Sequence, residues 1–151
     1  MPPHRTGHAA RAVAASLAAQ GAKEIRVANR SLDKAQEIAD AVGPVVKVLP
    51  WDRRADALDG AALLANATSL GMAGKPPLEI SLDRLSKNAL VGDLIYIPPE
   101  TPLLAAVRMR GNTTVNGLGL LLNQARPAFN AWFGVMPEIT PALRQAIAAT
   151  F

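Results

Sequence analysis

The chain of 151 residues is long enough for one domain with its own hydrophobic core. Half of the residues are hydrophobic and 19% are charged, which excludes an intrinsically disordered chain. Cysteine is absent, so a disulfide scaffold, a thiolate nucleophile and a Cys-ligated metal are excluded. The same absence agrees with a cytoplasmic location.

The net charge of +4 favours an anionic partner. Aromatic residues make up only 4% of the chain, which disfavours a surface that stacks nucleic-acid bases. No apolar run is long enough to span a membrane, and residues 1–6 lack the apolar core of a secretion signal. We therefore expect neither a nucleic-acid nor a membrane partner, and no residue pattern predicts a metal site.

Helical and strand patterns alternate in the first half of the chain. Apolar residues at three- and four-residue spacing predict a helix over 8–20, and a second helix begins after a capping Ser31. Gly43-Pro44 ends that second helix. The segment 24–28 is short and alternates between polar and apolar residues, and 45–49 is rich in β-branched residues, so both are predicted to be strands.

The second half continues this alternation. Strands are predicted at 61–65, 89–96 and 113–115, and short helical pieces near 53–58 and 81–86. One longer helix is predicted over 118–133, and two others begin at Thr101-Pro102 and Thr140-Pro141. The segment 61–65 is apolar throughout, as is typical of a strand covered on both faces. Pro127 lies within a predicted helix and should kink or split it, because proline removes one backbone hydrogen bond.

This order predicts an α/β fold, a Rossmann-like three-layer sandwich with a parallel sheet in one compact domain. Such a fold begins with a strand and a glycine-rich turn, but residues 1–6 contain two prolines and no apolar run, and only Gly7 remains of the glycine pattern. We therefore expect the sheet to lack its first strand. Strands 24–28 and 61–65 would then pair directly, or another chain would fill the gap, as in a homo-oligomer, or the domain would be partly molten.

A basic turn follows the first predicted strand and comprises Asn29, Arg30 and Ser31, with Lys34 one helical turn later. In a Rossmann-like fold this turn meets the adenine ribose, and Arg and Lys at this place favour a 2′-phosphate. The alternative is a solvated basic turn with an ordinary serine cap.

Several segments together resemble the C-terminal NADP-binding domain of the shikimate dehydrogenases. They occur in the family's order from residue 9 to about 137, and quinate-using relatives fit them equally well. The matching segments are Ala9 to Val13, Asn29 to Ala35, Asn66 to Met72, Asp93 to Tyr96, Glu100 to Leu104, Asn116 to Gly119 and Gln124 to Gly134. Residues 9–151 would thus form the NADP-binding domain, with 1–8 outside the family pattern.

The resemblance implies an oxidoreductase of aromatic amino-acid biosynthesis that moves hydride between NADPH and 3-dehydroshikimate. Tyr96 and Gln124 match substrate-binding positions, although each is alternatively an ordinary strand or surface residue. Met72, Trp132 and Phe133 are expected to be packing residues. The implied cofactor-binding residues are Gly7, Asn29, Arg30, Ser31, Lys34, Asn66, Ala67, Thr68, Ser69, Leu94, Gly117 and Leu120.

Two departures from the family pattern limit this prediction. The family's Gly-Ala-Gly-Gly loop is replaced by Arg5-Thr-Gly-His8, and the N-terminal substrate domain that carries the family's catalytic Lys and Asp has no counterpart. We assign no catalytic residue and expect the chain to be inactive alone. The alternative function is a non-catalytic NADP-binding or interaction module, whereas a nucleic-acid binder rests on net charge only.

Overall fold

The computed structural model describes residues 7–150, so the predictions that concern residues 1–6 lie outside the described part. The described chain divides into two compact units. The first contains the residues up to Ala61 together with Ile80–Ser86, and the second contains Ala62–Glu79 and the residues from Lys87 onward. Within the described range, no helix has the length and apolar character that a membrane crossing requires.

The first unit is a two-stranded parallel sheet with helices between its strands. Its elements are α1 (His8–Ala19), β1 (Ile25–Asn29), α2 (Leu32–Val42) and β2 (Val46–Pro50), followed by two single 3₁₀ turns, Trp51–Arg53 and Asp56–Leu58. The sequence prediction placed these helices and strands within one or two residues of their observed ends.

A small apolar core holds this unit together. Ala14 of α1, Ile25 of β1, Ile38 of α2 and Val46 of β2 are buried against one another. The apolar stripes of both helices therefore face the sheet, as their three- and four-residue spacing predicted. Ser31 caps α2 as predicted, because its Oγ accepts a hydrogen bond from the backbone N–H of Lys34 at 3.4 Å.

The second unit contains a three-stranded parallel sheet in the order β3-β4-β5. Its elements are β3 (Leu63–Asn66), β4 (Leu90–Asp93), α3 (Pro102–Met109), β5 (Thr113–Val115), α4 (Leu118–Phe133) and α5 (Pro141–Ala148). Helix α3 packs on β4 and β5 and buries Leu104 and Val107. Both predicted threonine caps are present, since Thr101 accepts from Leu104 N–H and Thr140 from Leu143 N–H.

Three element predictions need correction. The segment 81–86 is not helical, because the Ser81 hydroxyl bonds both the carboxylate and the backbone N–H of Asp83 and holds a local turn there. Strand β3 is mostly half-buried rather than covered on both faces, since it lies at the edge of its sheet. Of the two effects predicted for Pro127, a split of the helix is wrong, because α4 continues through this residue, and a kink stays a prediction.

The two sheets do not share a strand pair. Strand β1 hydrogen-bonds only with β2, and β3 only with β4, among the strands of the described chain. The direct pairing of these strands, which is one of the three predicted outcomes, is therefore wrong for residues 7–150. The other two outcomes, a strand supplied by another chain and a partly molten domain, remain predictions.

Candidate functional site

A shallow cavity opens at the first turn of α1 in the first unit. Its wall combines two cations, Arg11 and Lys34, with one carboxylate, Glu37. The complete lining is Gly7, His8, Arg11, Lys34, Glu37 and Ile38. Two of the predicted cofactor residues, Gly7 and Lys34, are thus brought together although they are far apart in the sequence.

Gly7 leaves this cavity open on the side of the helix terminus. Its φ is +130°, which disfavours any residue with a side chain, and a Cβ built at this position would meet no atom within 4 Å. It precedes α1 without supplying a side-chain cap for the amides of the first turn. A helix N-terminus of this kind attracts anions, because the amides of its first turn have no partner within the helix and the positive end of the helix dipole lies there.

The turn after β1 is pre-arranged by its own hydrogen bonds. Asn29 Oδ1 accepts from the backbone N–H of Ser31 at 3.2 Å, and Ser31 in turn caps α2. Arg30 is exposed between them. The serine cap of the alternative interpretation is therefore real.

Arg11 was not selected from the sequence as a site residue. It lies one helical turn after Gly7, so the spacing of four residues places it above the same terminus. That spacing is the signal that could have identified it.

In the second unit, the turn after β3 is built around a buried asparagine. Asn66 Nδ2 donates to the Leu70 carbonyl at 3.0 Å, and its Oδ1 accepts from both the backbone N–H and the hydroxyl of Thr68 at 3.0 and 2.7 Å. The predicted segment Asn66 to Ser69 is thus a defined turn, with Thr68 and Ser69 exposed and Ala67 half-buried.

Asp93 connects this turn to two other elements. Its carboxylate, only 2% exposed, accepts from Asn66 Nδ2 at 3.2 Å, from the backbone N–H of Ile95 at 3.1 Å and from the Thr101 hydroxyl at 2.7 Å. One side chain therefore joins the end of β3, the end of β4 and the N-cap of α3. No role for Asp93 was predicted from the sequence.

Leu94 and Gly117 meet at the end of β4. The Leu94 N–H donates to the Asn66 carbonyl at 3.0 Å, and the Gly117 N–H donates to the Ile95 carbonyl at 2.9 Å. A Cβ added to Gly117 would lie 2.0 Å from the Leu94 carbonyl oxygen. Only glycine lets the chain before α4 approach β4 this closely, whatever else this position contacts.

The remaining predicted positions are more open. Leu120 and Gln124 are exposed one turn apart on α4, and Tyr96 is half-buried. Met72, Trp132 and Phe133, which were expected to be packing residues, are 42%, 77% and 64% exposed, so none of them belongs to the buried core of the described chain. No group of three or more His, Asp or Glu side chains within 7–150 is arranged to hold a metal ion.

Comparison with known proteins shows which proteins this chain is similar to. The family model described as shikimate/quinate 5-dehydrogenase matches residues 6–73. The shikimate dehydrogenase (NADP(+)) of Rhodospirillum rubrum is 50% identical over 145 aligned residues, which cover 93% of this chain and 51% of that protein. The predicted resemblance to the shikimate dehydrogenase family is confirmed.

Solved structures agree with this relationship. Quinate dehydrogenase from Corynebacterium glutamicum in complex with NAD has a TM-score of 0.86 at 30% identity, over 95% of this chain and 52% of that one. Shikimate 5-dehydrogenase from Thermus thermophilus in complex with NADP(H) and shikimate has a TM-score of 0.74 at 27% identity, over 92% and 50%. The α/β Rossmann-like fold is therefore confirmed, and the chain spans about half the length of these relatives.

Proposed function

We propose that this chain is the NADP-binding part of a shikimate dehydrogenase-like oxidoreductase, which interconverts 3-dehydroshikimate and shikimate with NADPH and NADP. The observation that carries this proposal is the cavity at the first turn of α1, where the open terminus at Gly7 lies beside Arg11 and Lys34. Relatives of the chain are named for NADP(+), which supports the same cofactor.

The residues of the first unit fit a phosphorylated cofactor. Arg11 and Lys34 supply two positive charges against the one negative charge of Glu37, so the cavity carries a net positive charge at neutral pH. Arg30 and the Ser31 hydroxyl would bind the 2′-phosphate, because guanidinium and hydroxyl groups donate to phosphate oxygens. Bound NADPH would supply the hydride, and these residues would hold and orient its adenosine end.

The second unit would supply the residues near the nicotinamide. The turn Asn66 to Ser69, held by Asp93, presents exposed Thr68 and Ser69 groups, and Leu94, Gly117 and Leu120 lie at or beyond the end of β4. Tyr96 and Gln124 carry the neutral hydrogen-bonding groups that a polyol such as shikimate or quinate requires.

We expect the chain to bind cofactor and yet show no turnover alone. Hydride transfer needs the two reacting carbons about 3–3.5 Å apart and a proton donor beside them. The family's catalytic Lys and Asp have no counterpart among the matched segments, so the proton donor would have to come from elsewhere. Assay of shikimate-dependent NADP reduction by the purified chain checks this expectation.

Calorimetric titration with NADP and NAD tests the cofactor proposal. We expect micromolar binding of NADP and weaker binding of NAD. The variant Lys34→Ala should weaken NADP binding about tenfold or more, because it removes a charged phosphate donor. Lys47→Ala removes the same charge from an exposed position of β2 and should leave binding unchanged. Equal or negligible heat for both cofactors would reject the proposal.

A second candidate function is a non-catalytic NADP-binding or interaction module. It needs only the phosphate-binding residues that the first unit places around the cavity at α1. Adding the N-terminal half of the Rhodospirillum rubrum enzyme to the purified chain separates the two candidates. Restored turnover supports the oxidoreductase, whereas NADP binding without turnover in this mixture supports the module.

A further inference from the structure

The first residue of α1 is a histidine that lines the cavity of the first unit. His8 follows the glycine that precedes the helix, and it is exposed. It stands where the shikimate dehydrogenase pattern has the last glycine of its Gly-Ala-Gly-Gly loop. A glycine offers a phosphate only its backbone N–H, whereas a histidine adds an imidazole. This chain therefore has a side-chain donor at the helix terminus that the family pattern lacks.

The charged groups that share the cavity with His8 come from both helices of the first unit. Arg11 lies on the next turn of α1, and Lys34 and Glu37 line the cavity from α2. The two cations and the positive end of the helix dipole oppose a further positive charge, while Glu37 favours it. An anion in the cavity would change this balance in favour of imidazolium, because it attracts every basic group around it. The charge of His8 is thus coupled to occupation of the cavity.

Histidine differs from the other charged residue types of this cavity in its titration. Imidazole ordinarily changes its charge between pH 5 and 8, a range in which guanidinium, ammonium and carboxylate groups ordinarily keep theirs. The protonated ring carries two N–H donors and a positive charge, whereas the neutral ring has one donor and one acceptor. An anion therefore distinguishes strongly between the two forms of this side chain.

We propose that protonated His8 binds the pyrophosphate of the cofactor, so that its contribution to affinity grows as the pH falls from about 8 to about 5.5. In a Rossmann-like fold the pyrophosphate lies at the N-terminus of the first helix, and His8 begins that helix here. This inference rests on the proposed function. It adds a dependence on pH that a glycine at this position cannot supply.

Calorimetric titration with NADP at several pH values measures the contribution of His8. A phosphate monoester such as the 2′-phosphate also changes its charge near pH 6, which alters the affinity of every variant. The readout is therefore the ratio of the dissociation constants of a variant and the unchanged chain at the same pH. For His8→Gln we expect a ratio of about 1 at pH 8 that rises to about fivefold or more at pH 5.5.

Arg11→Gln is the matched control, because it removes from the same cavity a cation of a type that does not titrate in this range. Its ratio should exceed 1 and stay the same at each pH. Both positions are exposed, and circular dichroism checks that the variants fold. An equally flat ratio for His8→Gln would overturn the proposal. So would tighter binding by His8→Gly than by the unchanged chain at pH 5.5, because the imidazole would then obstruct the pyrophosphate.

Nuclear magnetic resonance of the imidazole gives a second readout that leaves His8 in place. The chain has two histidines, so His4→Gln leaves His8 as the only one. The midpoint of its titration should move to higher pH when NADP is bound, because an anion that prefers the protonated ring stabilises that form. An unchanged midpoint in the saturated complex would overturn the proposal.

The same titration with NAD keeps this proposal distinct from the proposed function, since NAD carries the pyrophosphate without the 2′-phosphate. If NAD and NADP bind equally and both move the His8 midpoint, the cofactor proposal fails and the role of His8 stands. If NADP is preferred and neither cofactor moves the midpoint, only the role of His8 fails. Absence of binding heat and of any movement with both cofactors would reject both proposals.

Discussion

The two units organise their candidate site residues in opposite ways. In the first unit, Arg30, Lys34 and Arg11 are held by short-range features, namely a serine cap and the first turn of a helix. In the second unit, a buried carboxylate, Asp93, joins three elements that are separated in the sequence. A local arrangement tolerates substitution at the cost of one contact, whereas a buried junction loses several contacts together.

The largest effect is expected from Gly117→Ala in the second unit. The added Cβ would overlap the Leu94 carbonyl, so the backbone before α4 must move away from β4. We expect a loss of about 3 kcal/mol in the free energy of unfolding, the upper part of the range for overpacking. Urea denaturation followed by circular dichroism measures it.

Gly119→Ala is the matched control for that prediction. Its Cβ would meet only the Arg144 Nη1 atom at 3.6 Å, and it lies within α4, where alanine is favoured over glycine by about 1 kcal/mol. We expect this variant to be neutral or slightly more stable. A similar loss from both variants would mean that the close approach at Gly117 is not the cause.

Asp93→Asn should have the next largest effect. The groups hydrogen-bonded to the Asp93 carboxylate are all donors. The asparagine side chain would place its own N–H₂ group, which is also a donor, opposite one of them. We expect a loss of about 2 kcal/mol in the free energy of unfolding, the cost of buried groups without partners. Asp52→Asn, at an exposed position, should change stability little. Unchanged stability of Asp93→Asn would show that the junction does not hold the turn after β3.

The same contrast explains how much of the molecule could be predicted. Helix starts at Ser31, Thr101 and Thr140 were found because a cap and its helix are neighbours in the sequence. The role of Asp93 was missed because its partner Asn66 is 27 residues away, and no spacing rule connects them.

Burial was harder to predict than secondary structure. The side chain of Trp132 is large and mostly apolar, which suggests burial. Its exposure nevertheless depends on which elements pack beside α4. Segment 81–86 has helical spacing, but the local hydrogen bonds of Ser81 prevail over it. The binding roles of Arg30, Tyr96 and Gln124 stay predictions, because they depend on a ligand rather than on contacts within the chain.

In the first unit, Ser31→Ala should cost about 1 kcal/mol of unfolding free energy, because the Lys34 amide loses its cap. Ser16→Ala is the control, since Ser16 is exposed within α1, where alanine is the better helix former. Thermal unfolding of both variants compares them. If Ser31→Ala is no less stable than Ser16→Ala, the capping bond contributes nothing and the turn after β1 is held by other contacts.

The smallest effect concerns pH and the exposed ion pair of the first unit. The hydrogen bond from the Arg53 guanidinium holds the pKa of Asp56 below its ordinary value, and Arg84, 3.4 Å from Asp56, acts in the same direction. A lowered pKa in the folded chain means that the pair stabilises the fold above the unfolded pKa of about 3.9. That contribution is lost as the pH falls through the lower pKa of the folded state.

Asp56→Asn should therefore reduce stability slightly at pH 7 and leave it unchanged at the acidic limit, where the carboxyl is protonated in both states. The pair is exposed, so added salt should diminish the difference. Urea midpoints at pH 7 and at pH values falling to about 1, at low and high salt, measure it, with Arg53→Gln as the partner variant. If Asp56→Asn still destabilises the chain when Arg53 has been replaced, the effect comes from Arg84 or the local turn.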